Sequence, residues 1–130
     1  MRIEFIGSGS QDCPLVRMHR YSRAEIELLR EACLDLAEGR RAEYVVSAQP
    51  WVEVGGCELL WKVGESDRSL SGMNRGLWMP KKGEPFTVRY PAEEWLEVRD
   101  KLEPMLESDG FQRLTDEGDV SLLVSVHGGW

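Results

Sequence analysis

The stretch from Ser22 to Gly39, SRAEIELLREACLDLAEG, interrupts a chain otherwise rich in strand-like runs, and its reading decides the fold class. Ser22 is a favoured N-cap. Glu25, three residues on, completes a capping box, in which each residue's side chain takes the other's backbone N–H. Tyr21 and Ile26 occupy the hydrophobic-staple positions on either side of the cap. Ile26, Leu29, Cys33 and Leu36 recur at helical spacing, and Leu28 and Ala32 widen the stripe. Gly39 can take the left-handed conformation that ends a helix. The spacing predicts a helix over about 23–38.

A second helix is expected from Pro91. Proline suits the first helical position, and Glu93 and Glu94 suit the positive end of the helix dipole. Trp95, Val98, Leu102 and Met105 form its apolar stripe. Pro104 removes a hydrogen bond to Asp100, so the helix should kink or end there. Asp109-Gly110 marks its exit turn.

Around these helices the period is that of strands. Residues 2–6 read as a strand with Ile3 and Phe5 on one face. Residues 7–20, with Gly7, Gly9 and Pro14, read as a loop. Tyr44–Val46 opens a strand broken near Pro50 and continued by Trp51–Val54. Gly55-Gly56 then signals a tight hairpin into Cys57–Val63. In that register Glu53 would face Glu58, an unfavourable like-charge pair relieved by solvation. Phe86–Tyr90, Phe111–Leu114 and Asp119–His127 complete the set. In the last strand Val120, Leu122, Val124 and Val126 share one face, with Ser121, Leu123 and Ser125 on the other. The order β-α-β-β-β-α-β-β predicts a single α+β domain over 1–130. Its mostly antiparallel sheet carries both helices on one face, a layout compatible with a ferredoxin-like plan plus an extra hairpin.

Composition narrows the function. The chain has 130 residues, 23 of them acidic and 16 basic, for a net charge of −7. An acidic balance of this size argues against a general nucleic-acid binder, which needs a cationic face. No apolar run approaches the ~20 residues that span a bilayer, and Glu4 breaks any signal-like segment. Three cysteines, Cys13, Cys33 and Cys57, fit reduced thiols rather than a disulfide framework. The expected location is the cytoplasm.

The chemical motifs are weak. Gly7-Ser8-Gly9-Ser10 follows a strand, but a dinucleotide fingerprint needs a third glycine where Asp12 stands and a helix opening at once. Cys13 and His19 could form a nucleophile–base pair, with Asp12 nearby, yet no local signature supports them. His19 and His127 are the only histidines, with no paired-ligand spacing for zinc, and Glu53 with Glu58 would hold a cation poorly. No metal or cofactor is expected.

Two surfaces remain. Glu93, Glu97 and Asp100 fall on one face of the second helix, away from its apolar stripe. They read either as a solvated face or as a landing surface for a basic partner. The segment 65–84 carries Arg75, Leu77, Trp78, Met79, Lys81 and Lys82, the residue types enriched at interface centres and rims. Trp78 either plugs the core or makes a contact. Trp130 at the C-terminus poses the same choice. The reading that follows is a small, acidic, non-catalytic binding protein that neutralises a basic partner. The alternatives are an enzyme built on Cys13 and His19, or a subunit of a homo-oligomer joined through a sheet edge or the Trp78 loop.

Overall fold

The computed structural model describes residues 1–7, 14–64, 75–107, 110–115 and 117–125. Its strands are β1 (Arg2–Ile6), β2 (Leu15–His19), β3 (Glu43–Val45), β4 (Glu53–Gly55), β5 (Leu59–Val63), β6 (Gly76–Leu77), β7 (Phe86–Tyr90), β8 (Phe111–Arg113) and β9 (Ser121–Ser125), and its helices are α1 (Arg23–Ala37) and α2 (Trp95–Leu102). The α+β class holds. The strands divide between two mixed sheets, however, of order β4-β1-β2-β9-β8 and β3-β5-β7-β6. Antiparallel pairs remain the majority among the described strands, but β1–β4, β2–β9 and β5–β7 are parallel, and two sheets replace the expected single sheet and its ferredoxin-like order.

Helix α1 forms as its sequence dictates. The Ser22 hydroxyl accepts the Glu25 N–H at 3.2 Å, and the Glu25 carboxylate accepts the Ser22 N–H at 2.8 Å. The same carboxylate meets the Met1 ammonium at 3.0 Å. Gly39, at φ 78°, ends the helix. Helix α2 begins at Trp95, four residues later than expected, because residues 92–94 after Pro91 form a tighter 3-10 turn. It ends at Leu102, and Pro104 lies in a further 3-10 turn that keeps Met105 buried.

Two local readings are corrected. Residues 15–19, expected as loop, form β2, which pairs with β1 so that Glu4 faces Arg17 and Arg2 faces His19. The alternation of Val16 and Met18 with Arg17 and His19 was its signal. The Gly55-Gly56 turn does not fold a hairpin. Gly56, at φ 86°, carries the chain from one sheet to the other. Glu53 then lies opposite Arg2, whose guanidinium it meets at 2.6 Å, so its charge is answered by a cation rather than set against Glu58.

The core gathers the inner faces of both sheets and the apolar stripes of both helices. Phe5 and Phe86 join the sheets, with ring centroids 5.0 Å apart. Trp95 of α2 packs on Trp61 at 5.4 Å and edge-on to Tyr90 at 5.8 Å. Both indoles are fully buried. On the second face of the five-stranded sheet Leu15, Leu123, His19 and Ser125 are also buried.

The sheets are also sewn together by backbone. The Leu77 N–H donates to the Glu117 carbonyl at 3.1 Å, and the Val120 N–H donates to the Leu77 carbonyl at 3.2 Å. Gly76 and Gly118, both at positive φ, make this close approach. A Cβ on Gly118 would lie 2.6 Å from the Leu77 carbonyl carbon, and one on Gly76 would lie 2.8 Å from Glu117 Cβ.

Candidate functional site

The backbone crossing fixes the segment 75–82. Arg75 donates to both oxygens of Glu117 at 3.1 and 3.2 Å and to Glu94 as well. These carboxylates raise its pKa still further. Its charge is therefore spent on bracing the segment against the turn before α2 and the segment before β9 rather than offered to a partner. Leu77 is wholly buried and belongs to the core. Trp78 is half-buried, with its indole N–H donating to the Arg75 carbonyl at 2.7 Å. It overlies a cleft of about 150 Å³ lined by Pro80, Pro85, Thr87 and Arg89. Met79 is 49% exposed, with its backbone N–H held by Asp119 at 2.8 Å. Lys81 and Lys82 are exposed. The structure thus splits the expected site: Leu77 lies in the core, Arg75 is held in ion pairs at the surface, and Met79, Lys81 and Lys82 face outward.

Of the expected acidic helix face, Glu97 and Asp100 lie on α2, whereas Glu93 lies in the 3-10 turn before it. Glu93, Glu97 and Asp100 are exposed and form no ion pair with the described residues. Helix α1, packed against α2, adds Glu27 and Glu31 to the exposed surface of the helix pair. Glu27 pairs with Arg23 at 3.5 Å, whereas Glu31 has no such partner among the described residues. Leu28 and Leu96 are 43% and 42% exposed on the same two helices. The layer therefore offers apolar contact among uncompensated carboxylates.

On β1 and β2 a second polar group forms. Arg17 bonds Glu4, and that bond, outweighing burial, holds the Glu4 carboxyl below its ordinary pKa. His19 is buried, with Nε2 2.9 Å from a Glu4 oxygen but off the hydrogen-bond line. Burial, helped by Arg17, lowers its pKa despite Glu4, so the fold favours neutral imidazole. A proton is then taken up first by the unfolded chain. The His19 contribution to stability is full above 6.5 and is lost as pH falls through the lowered folded value. The Glu4 contribution is present above 4.5 and is lost below it. Urea unfolding of the parent should show a lower midpoint at about pH 5.5 than at about pH 7.5, and His19→Gln should flatten that difference. An unchanged slope in the variant would deny His19 this role.

The enzyme alternative gains little from these groups. Burial pushes the Cys57 thiol up to about 11 and the Cys33 thiol further, the reverse of an activated nucleophile. Cys13, His127 and Trp130 lie outside the described residues.

A further cleft escaped sequence reading. Arg2, Arg20, Pro50, Trp51, Val52 and Glu53 line about 260 Å³ beside the start of β1. Arg20 sits at φ 55°, the one positive value at a non-glycine position among the described residues. That conformation costs a residue with a Cβ about 1–2 kcal/mol. Nothing in the order Arg20-Tyr21-Ser22 signals it, because it is set by how β2 turns into the cap of α1.

Comparison with known proteins yields no match among family models, curated sequences or solved structures. The functional argument therefore rests on these side chains.

Proposed function

We propose that the chain is a non-catalytic binding protein that docks a basic protein partner on the surface of its helix pair. The observation that carries this reading is the set of exposed carboxylates Glu31, Glu97 and Asp100 on the two helices and Glu93 in the 3-10 turn that leads into α2, unpaired among the described residues, with Leu28 and Leu96 exposed on the same helices. Complementary charge speeds encounter and excludes wrong partners, while exposed leucines supply the apolar contact that charge alone lacks. Charge that is already paired, as at Arg75, has little left to offer a partner.

The test is affinity capture at low and high salt, followed by association kinetics with the captured protein. The expected partner is basic and released by salt. Reversing Glu93, Glu97 and Asp100 to lysine should slow association by about 10- to 1000-fold. Capture that ignores the reversal, or a partner that is itself acidic, overturns the reading.

Self-association is a second reading. Phe111, 51% exposed on β8, the outermost strand of its sheet among the described residues, favours it, since an exposed apolar side chain at a sheet margin can contact a second copy. A monomer mass independent of concentration would dismiss it.

A further inference from the structure

We propose that the cleft formed by Arg2, Arg20, Pro50, Trp51 and Glu53 is a binding site for a small organic anion, a carboxylate or phosphate monoester bearing an apolar or aromatic group. The site is separate from the acidic helix surface and does not depend on it.

Three observations converge there. The first is charge. Arg2 is partly answered, by Glu53 at 2.6 Å and by Glu4 at 3.8 Å. Arg20 is exposed and makes no hydrogen bond or ion pair with the described residues. With two guanidinium groups and one carboxylate lining it, the cleft is cationic on a chain of net charge −7. The second is shape. Trp51 and Pro50 supply flat apolar walls, and about 260 Å³ is close to the low end of small-molecule sites. The third is backbone strain. Arg20 holds a conformation that glycine or asparagine adopts more easily, and such residues cluster at ligand sites. A guanidinium projected from that strained turn can grip two oxygens of a carboxylate or phosphate at once. An aromatic or apolar substituent would then lie against Trp51.

The probes are phenyl phosphate, benzoate, inorganic phosphate and neutral benzyl alcohol. Each is titrated into the isotope-labelled full chain while the Trp51 indole and Arg20 amide resonances are followed. Phenyl phosphate or benzoate should saturate these shifts, and the tighter of the two identifies the headgroup. Benzyl alcohol should bind at least about tenfold more weakly, because a bidentate charged contact is missing. Inorganic phosphate should also be weaker, because it leaves Trp51 uncovered. Arg20→Gly should lose about tenfold in anion affinity while its melting temperature rises by about 2–4 °C, since glycine relieves the strain. Arg20→Asn tolerates the same backbone and provides the second variant. The proposal falls if neither anion binds, if the neutral alcohol or bare phosphate binds as well as the aromatic anions, or if both Arg20 variants keep the parent's affinity.

Discussion

Gly118→Ala should destabilise the protein by about 4 kcal/mol or more, enough to unfold many domains of this size. Two effects add. Gly118 sits at φ 103°, where a side chain is strained, and the new Cβ would press on the Leu77 carbonyl. Neither neighbour can yield cheaply, because the contact is backbone against backbone within the hydrogen bonds that join the sheets. Gly39→Ala provides the comparison. Gly39 is also at positive φ, but its Cβ would meet nothing within 4 Å, so only the conformational cost of about 1–2 kcal/mol applies. Urea unfolding of both variants reads the difference. Equal losses would show that the close approach at Leu77 carries no special weight.

Trp61→Ala should cost about 3–5 kcal/mol. Trp61, on β5, is fully buried and packs against two rings, Trp95 at 5.4 Å and Tyr44 at 6.4 Å. Removing it opens a cavity where a sheet and a helix meet. Trp61→Phe should cost markedly less. It keeps an aromatic ring and discards an indole N–H that is buried without a hydrogen-bond partner among the described residues, a group whose burial is itself unfavourable. Calorimetric or urea unfolding of the pair checks this. A phenylalanine variant as damaged as the alanine one would mean that the indole outline, not aromatic packing, holds the site.

How far the fold could be read from the chain follows the range of the forces involved. Ser22, Glu25 and Gly39 act within a few residues, and α1 runs over Arg23–Ala37 almost as its pattern implies. Phe86–Tyr90 is a strand at its expected bounds. The Gly55-Gly56 turn misled because its local chemistry is the same whether the chain folds back or crosses to another sheet. The difference lies in a long-range pairing, since Glu53–Gly55 run parallel to Arg2–Glu4, some 50 positions earlier in the chain. At the candidate surfaces the contrast repeats. The spacing of Glu97 and Asp100 sets both on the exposed side of α2, with Glu93 in the turn before it, but Arg75 finds Glu94 and Glu117 at 19 and 42 positions' distance, and no local pattern announces that. The strained Arg20 is likewise a product of tertiary structure.

The pairing of β2 with β9 sets Leu15 opposite Ser121. A ribosome adding about 5–20 residues per second needs roughly 5–20 s to cover the hundred or so positions between them. Throughout that interval the inner edge of β2 has no native neighbour to receive its backbone hydrogen bonds. The order of synthesis thus makes the first hairpin of this protein its most vulnerable part, and the last strand the one that protects it.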